Sequence, residues 1–211
     1  MASVFTHAFV AAALTPLAPA PAPRWRLCVV LVVLSVLPDL DVIGFRFGIP
    51  YEHPLGHRGF SHSVFFAVLC GLIAALCCFP EISRFSRHWW IVAALCSLAT
   101  ASHGVLDAFT DAGLGIGFLL PFDASRYFFP WRPLPTSSIS VLGFINDRGA
   151  AIVWKEMLWV WIPVAYFAAA AILIVRSTQR GRTCFNLRLL ASLLAGLAVL
   201  GIGIFYLRSA S

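Results

Sequence analysis

Charge is scarce in this chain. Its 211 residues carry 15 basic and 9 acidic side chains, 11% charged in all, and every basic residue but Lys155 is an arginine. Soluble domains usually carry about 25%. So thin a supply cannot build a polar shell, which excludes a water-soluble globule, and the apolar excess excludes a disordered chain or a fibrous repeat. The six cysteines, Cys28, Cys70, Cys77, Cys78, Cys96 and Cys184, form no C-x-x-C and five lie in apolar runs. A disulfide framework or thiolate zinc site is therefore not expected. No basic residue precedes Arg24, so the charged start of a cleaved signal peptide is missing. The net charge of +6 is scattered without a basic stripe interleaved with aromatics, and nucleic acid is not an expected partner. No G-x-S-x-G, P-loop, dinucleotide or H-E-x-x-H motif occurs.

What is abundant is apolar. Hydrophobic residues make up 60%, and the mean hydropathy is +0.88. These values describe an integral membrane protein, all-α and polytopic, with about five to six transmembrane or re-entrant helices. Phe60–Phe79, Trp89–Leu106, Leu158–Val175 and Leu189–Leu207 read directly as spans. Leu27–Phe45 is strongly apolar up to Leu37 and then carries Pro38, Asp39 and Asp41. Val4–Ala20 reads as a short entering helix that runs into alternating proline and alanine. The chain is expected to form a single membrane domain over 1–211, with a core at 1–140 and two further spans in 141–211. Arginines cluster in the short connections Pro21–Arg26, Pro80–His88 and Arg176–Arg188, which places those on the cytoplasmic side. The long connections Pro38–Gly59 and Asp107–Met157 then lie outside. Within the second, apolar Ala112–Phe122 and aromatic Tyr127–Trp131 read as a re-entrant or interface-lying segment.

Ionisable groups at membrane depth are costly and usually functional. Here they gather at the outer ends of the spans: His7, Asp39, Asp41, His57, Arg58, His62, His103, Asp107 and Asp111. His103 and Asp107 stand at i and i+4, one above the other on a helical face, as two metal ligands or as a ligand and its orienting carboxylate. In His57-Arg58-Gly59-Phe60-Ser61-His62-Ser63, Ser61 reads as the cap of the next helix and puts His62 in its first turn. Paired imidazoles suit zinc, or manganese and iron where carboxylates complete the set. Asp39 and Asp41 close a helix whose C-terminal dipole is already negative, so a cation should compensate them. His7 draws its interest only from sharing this face. Glu52 and His53 are ligands or solvated loop residues, and His88 falls on the opposite side.

Leu37-Pro38-Asp39-Leu40-Asp41, His57–Ser63 and Ser102–Thr110, with His7 and Leu120-Pro121-Phe122, resemble the YdjM-type inner-membrane proteins. That family is described as metal-dependent hydrolases of the bacterial inner membrane, and the resemblance covers roughly residues 1–140. The order of histidines and aspartates is more remotely similar to the zinc-dependent phospholipase C and S1/P1 nuclease pattern. This chain departs from it, because no histidine follows His103 to complete a three-metal cluster.

The resulting expectation is a divalent metal, zinc before manganese or iron, bound among His7, Asp39, Asp41, His57, His62, His103 and Asp107. It would activate water against a phosphate or carboxylic ester, lipid-linked in keeping with a site at the membrane surface. Asp41 or Asp107 would serve as general base, and Arg58 would stabilise developing negative charge. The competing readings are a metal or proton carrier and a structural membrane protein whose His–Asp pairs fix helix packing. Apolar span interiors such as Val64–Leu76 favour a surface site over a pathway.

Overall fold

The structure is a computed structural model that describes residues 1–138, 144 and 149–179. It contains two compact units, Met1–Trp161 and Ile162–Ser211. The first holds α1 (Val4–Ala12), α2 (Arg24–Val36), α3 (Val64–Cys78), α4 (Arg87–Ala108) and α5 (Gly149–Glu156), and a π-helical turn, Met157–Trp161, follows α5. In the second, α6 covers Ile162–Gln179. The expected span Leu189–Leu207, with Cys184, lies outside the described residues. No strand occurs among the described residues, only isolated bridges between Thr110 and Leu134 and between Ile116 and Tyr127.

Serine hydroxyls start three of these helices. Ser3, Ser63 and Ser86 accept from the backbone N–H of Thr6, Phe66 and Trp89, satisfying donors that a helix start leaves orphaned. The cap of α3 is therefore Ser63 and not the expected Ser61. Proline governs the other boundaries. Pro16 stops α1 in a 3-10 turn, Thr15–Leu17, and Pro38 converts α2 into a 3-10 run, Leu37–Phe47. That run ends at Gly48, whose φ of 74° is left-handed.

Among the described residues, three helices are long and apolar enough to cross a membrane: Arg24–Phe47, Arg87–Ala108 and Gly149–Val175. α1 is the expected short entering helix, and α3 falls short of the expected span Phe60–Phe79. α1 has 9 residues and α3 has 15, about 14 and 22 Å at 1.5 Å per residue, against a hydrocarbon core of about 30 Å. The stretch ahead of α3 is diverted into a 3-10 turn, Phe60–His62, because its side chains turn onto the carboxylates described below.

α4 is the central element. Of its apolar window 61% is buried, against 28% for Arg24–Phe47. Leu27, Leu31 and Leu34 of α2, Ala74 and Ala75 of α3, and Val92, Cys96 and Ala99 of α4 pack in one cluster. α3 and α4 touch closely at Gly71, where a Cβ would fall 2.0 Å from Ser97 Oγ and 2.6 Å from the Ala93 carbonyl.

The connection after α4 is a folded cover. Its Phe118 carbonyl accepts from Val64 N–H and its Gly117 N–H donates to the Arg58 carbonyl, both at 3.0 Å. Arg126 donates to the carbonyls of Tyr51, His53 and His57 at 3.1 to 3.2 Å. The segment expected to lie in the interface is thus tied to the loop that bears the histidines.

Candidate metal centre

Four stretches of chain meet at one end of α4. α1 brings His7, the 3-10 run after α2 brings Asp39 and Asp41, the loop before α3 brings His57, Arg58 and His62, and α4 brings His103 and Asp107. His7, His103 and Asp107 are 0% exposed, His57 2% and His62 3%. The side chains of Asp39 and Asp41 keep 11% and 6%, so the centre opens on their side.

Asp39, His62, His103 and Asp107 each offer a ligand atom within 4.8 Å of the others, and so do Asp41, His57 and His62. The hydrogen bonds separate the two groups. His103 Nδ1–H donates to the Ser35 carbonyl at 2.7 Å, so its lone pair is on Nε2, 3.2 Å from Asp39 Oδ1. His62 Nδ1 faces Asp41 Oδ2 at 3.2 Å, which holds the proton there and turns Nε2 towards Asp39 and Asp107 at 3.8 and 3.9 Å.

The same corner holds buried polar atoms that lack a hydrogen-bond partner. They include His62 Nε2, Asp39 Oδ2 and Asp107 Oδ2. Orphaned buried acceptors are expensive. Two carboxylates and two imidazole lone pairs aimed at one point match what a divalent cation requires.

Asp41 is occupied differently. Its Oδ1 accepts from His57 Nδ1–H at 2.7 Å, and its Oδ2 accepts from Ser61 O–H at 2.6 Å and Arg58 N–H at 3.2 Å. His7 lies behind the centre. It stacks on His103 with ring centroids 3.8 Å apart, and its Nε2 is 3.5 Å from Asp107 Oδ1. Arg58 is 1% exposed and in the left-handed region at φ 64°. Its Nη1 donates to the carbonyls of Ala112 and Leu114 at 2.9 and 3.1 Å, its Nη2 to Thr110 Oγ1 at 2.9 Å. Its Nε lies 3.4 Å from Asp107 Oδ2. The guanidinium expected to face a substrate oxygen is turned instead onto the cover and onto Asp107.

Other sequence candidates fall elsewhere. Asp111 belongs to the cover, where its Oδ1 accepts from Thr136 N–H at 2.8 Å. Glu52 and His53 are exposed and in neither donor group. His88 is in the first turn of α4, about 22 Å along the helix from His103. Sequence reasoning passed over Ser35, whose carbonyl sets the His103 tautomer, and backbone groups leave no signature in side-chain chemistry. It also passed over Glu156, fully buried beside α1. The rule that singled out the other span-end carboxylates applies to it too, since it stands just ahead of an apolar run.

Apolar helices around a buried histidine–aspartate centre define a multi-pass membrane protein built around that polar corner. The chain belongs to the YdjM inner membrane protein family, whose model matches residues 1–183. It is 33% identical over 143 residues to the inner membrane protein YbcI of Escherichia coli (strain K12), covering 65% of this chain and 78% of that one. This is a bacterial inner-membrane protein by family. No solved structure matches it.

Proposed function

We propose that this protein is a membrane-bound metal-dependent hydrolase, with one divalent ion, zinc first, held by Asp39, His62, His103 and Asp107. The observation that carries the reading is the meeting of those four ligand atoms within 4.8 Å, in a corner where the buried His62 Nε2 and Asp107 Oδ2 make no hydrogen bond. A divalent ion held there would supply Lewis acidity and lower the pKa of a water towards about 7.

The chain's own groups divide the remaining work. Asp41 is left outside the ligand set by its bonds to His57, Ser61 and Arg58, so it orients His62, and the Asp41–His57 pair would serve as the proton acceptor. Arg58 balances the charge of Asp107 and pins the cover. The opening beside Asp39 and Asp41, at the end of a span, suits a phosphate or carboxylic ester carried by a lipid, whose headgroup lies at that level.

The test is hydrolysis of generic phosphodiester and carboxylic ester reporters by detergent-purified protein, with metal content measured in parallel. The expected result is metal-dependent turnover lost together with the metal in His103→Ala. Turnover that survives that substitution overturns the assignment. Stoichiometric metal without hydrolysis of any reporter replaces it with metal carriage.

A further inference from the structure

Glu156 takes no part in the centre, yet it is 0% exposed within the apolar helix Gly149–Val175. Among the described residues its hydrogen-bond partners come from the N-terminal segment. Oε1 accepts from Ser3 N–H at 2.5 Å, and Oε2 accepts from the Ser3 hydroxyl and from Thr6 O–H at 2.8 Å. The Thr6 hydroxyl in turn accepts from Trp161 Nε1–H at 2.7 Å, in the π-helical turn after Glu156. Phe9 stacks on the same tryptophan with centroids 5.2 Å apart.

The neighbours of those residues reach the centre. Ala2 N–H donates to Asp107 Oδ1 at 2.7 Å. His7, next to Thr6, stacks on His103 and faces the same oxygen. Ser3 and Thr6 therefore grip Glu156 while Ala2 N–H holds Asp107 and His7 packs against His103 and Asp107. α1 has 9 residues, and isolated helices shorter than about 12 residues are marginal, so its placement depends on such anchors.

We propose that Glu156 is a positioning residue for the metal centre. Acting through Ser3 and Thr6, it fixes α1 so that Ala2 N–H donates to Asp107 Oδ1, His7 stays stacked on His103, and Oδ2 is left turned to the ligand cluster. The inference rests on the metal-centre reading. The site suits a carboxylate, because one backbone N–H and two hydroxyls donate to it at once. Glutamine would keep the backbone bond only by turning its NH2 to the hydroxyls, reversing both of those bonds and removing the charge that strengthens them.

The test uses full-length protein in detergent and Co2+ as the probe. Hydrogen exchange at amides 2–9, measured without metal, reads the anchor. Co2+ affinity and the visible d–d spectrum read its effect on the centre. Glu156→Ala and Glu156→Gln should both raise exchange in α1, weaken Co2+ about 10- to 100-fold and alter the spectrum, while far-ultraviolet dichroism stays helical. Glu81→Gln, which removes a partner of Arg26 at 2.8 Å elsewhere in the bundle, should change neither reading. Should Glu156→Ala fail to fold, Thr6→Val removes one donor and carries the same two readouts.

Unchanged exchange overturns the anchor. Raised exchange with wild-type Co2+ affinity and spectrum overturns the positioning role and leaves a packing residue. A wild-type protein that binds no Co2+ overturns the metal reading instead, and exchange alone then decides whether Glu156 holds α1.

Discussion

His103 donates from Nδ1 to the carbonyl of Ser35 at 2.7 Å, across the interface of α4 with α2. Pro38 lies three residues beyond Ser35, where α-helical bonding gives way to the 3-10 run. Carbonyls in the last turn of an α-helix have no intrahelical donor, so this one is free to take the imidazole proton. The tautomer follows, and with it the direction of the lone pair on Nε2. A helix break and the orientation of a candidate metal ligand are thus one feature of the fold.

If Asp39, His62, His103 and Asp107 hold the ion, purified wild-type protein carries one divalent metal per chain. His62→Ala and His103→Ala should lose it, while the exposed His53→Ala keeps it. Asp41→Asn disturbs only the orienter of His62 and should weaken metal about 10- to 100-fold without abolishing binding. Elemental analysis and competition with a chelator measure both. Full metal retention in His103→Ala would defeat the ligand set.

Arg58→Lys keeps the charge but not the planar fork. One ammonium cannot serve the Ala112 and Leu114 carbonyls, Thr110 Oγ1 and Asp107 together. The expected outcome is a stability loss of about 1.5–3 kcal/mol with weaker metal binding, read by thermal melting with and without metal. A variant that melts as wild type and loses only turnover would return Arg58 to a direct role on substrate.

Gly71→Ala should separate α3 from α4. The new methyl would meet Ser97 Oγ at 2.0 Å, and the Ala93 carbonyl and Ser97 N at 2.6 Å. Moving backbone in a packed interface costs about 1–3 kcal/mol. Adding Ser97→Ala removes the hydroxyl but not the backbone atoms, so it should restore only part of the loss in a melting experiment.

Orientation is testable by thiol labelling in intact cells with a membrane-impermeant reagent. Cysteine at Glu52 should react from outside, and cysteine at Ser83, between Arg84 and α3, should react only after permeabilisation. Labelling of both from one side would end the alternating arrangement of α3 across the membrane.

The membrane class was decided by composition alone. A chain with 11% charged residues has no other way to satisfy its surface than lipid. The polar convergence was also legible, since histidines and aspartates at the ends of alternating spans must share a face wherever the spans fold. Helix lengths were less so. Phe60–Phe79 reads as one apolar run, yet Ser61 and His62 leave it for Asp41, and a one-dimensional pattern does not record that pull. Which nitrogen of each histidine faces inward depends on Ser35 and Asp41, which are distant in sequence. The inward turn of Arg58 depends on carbonyls of a cover more than 50 residues away. Tertiary structure alone decided those roles, because hydrogen-bond direction belongs to pairs of groups, and the partners meet only after the helices pack.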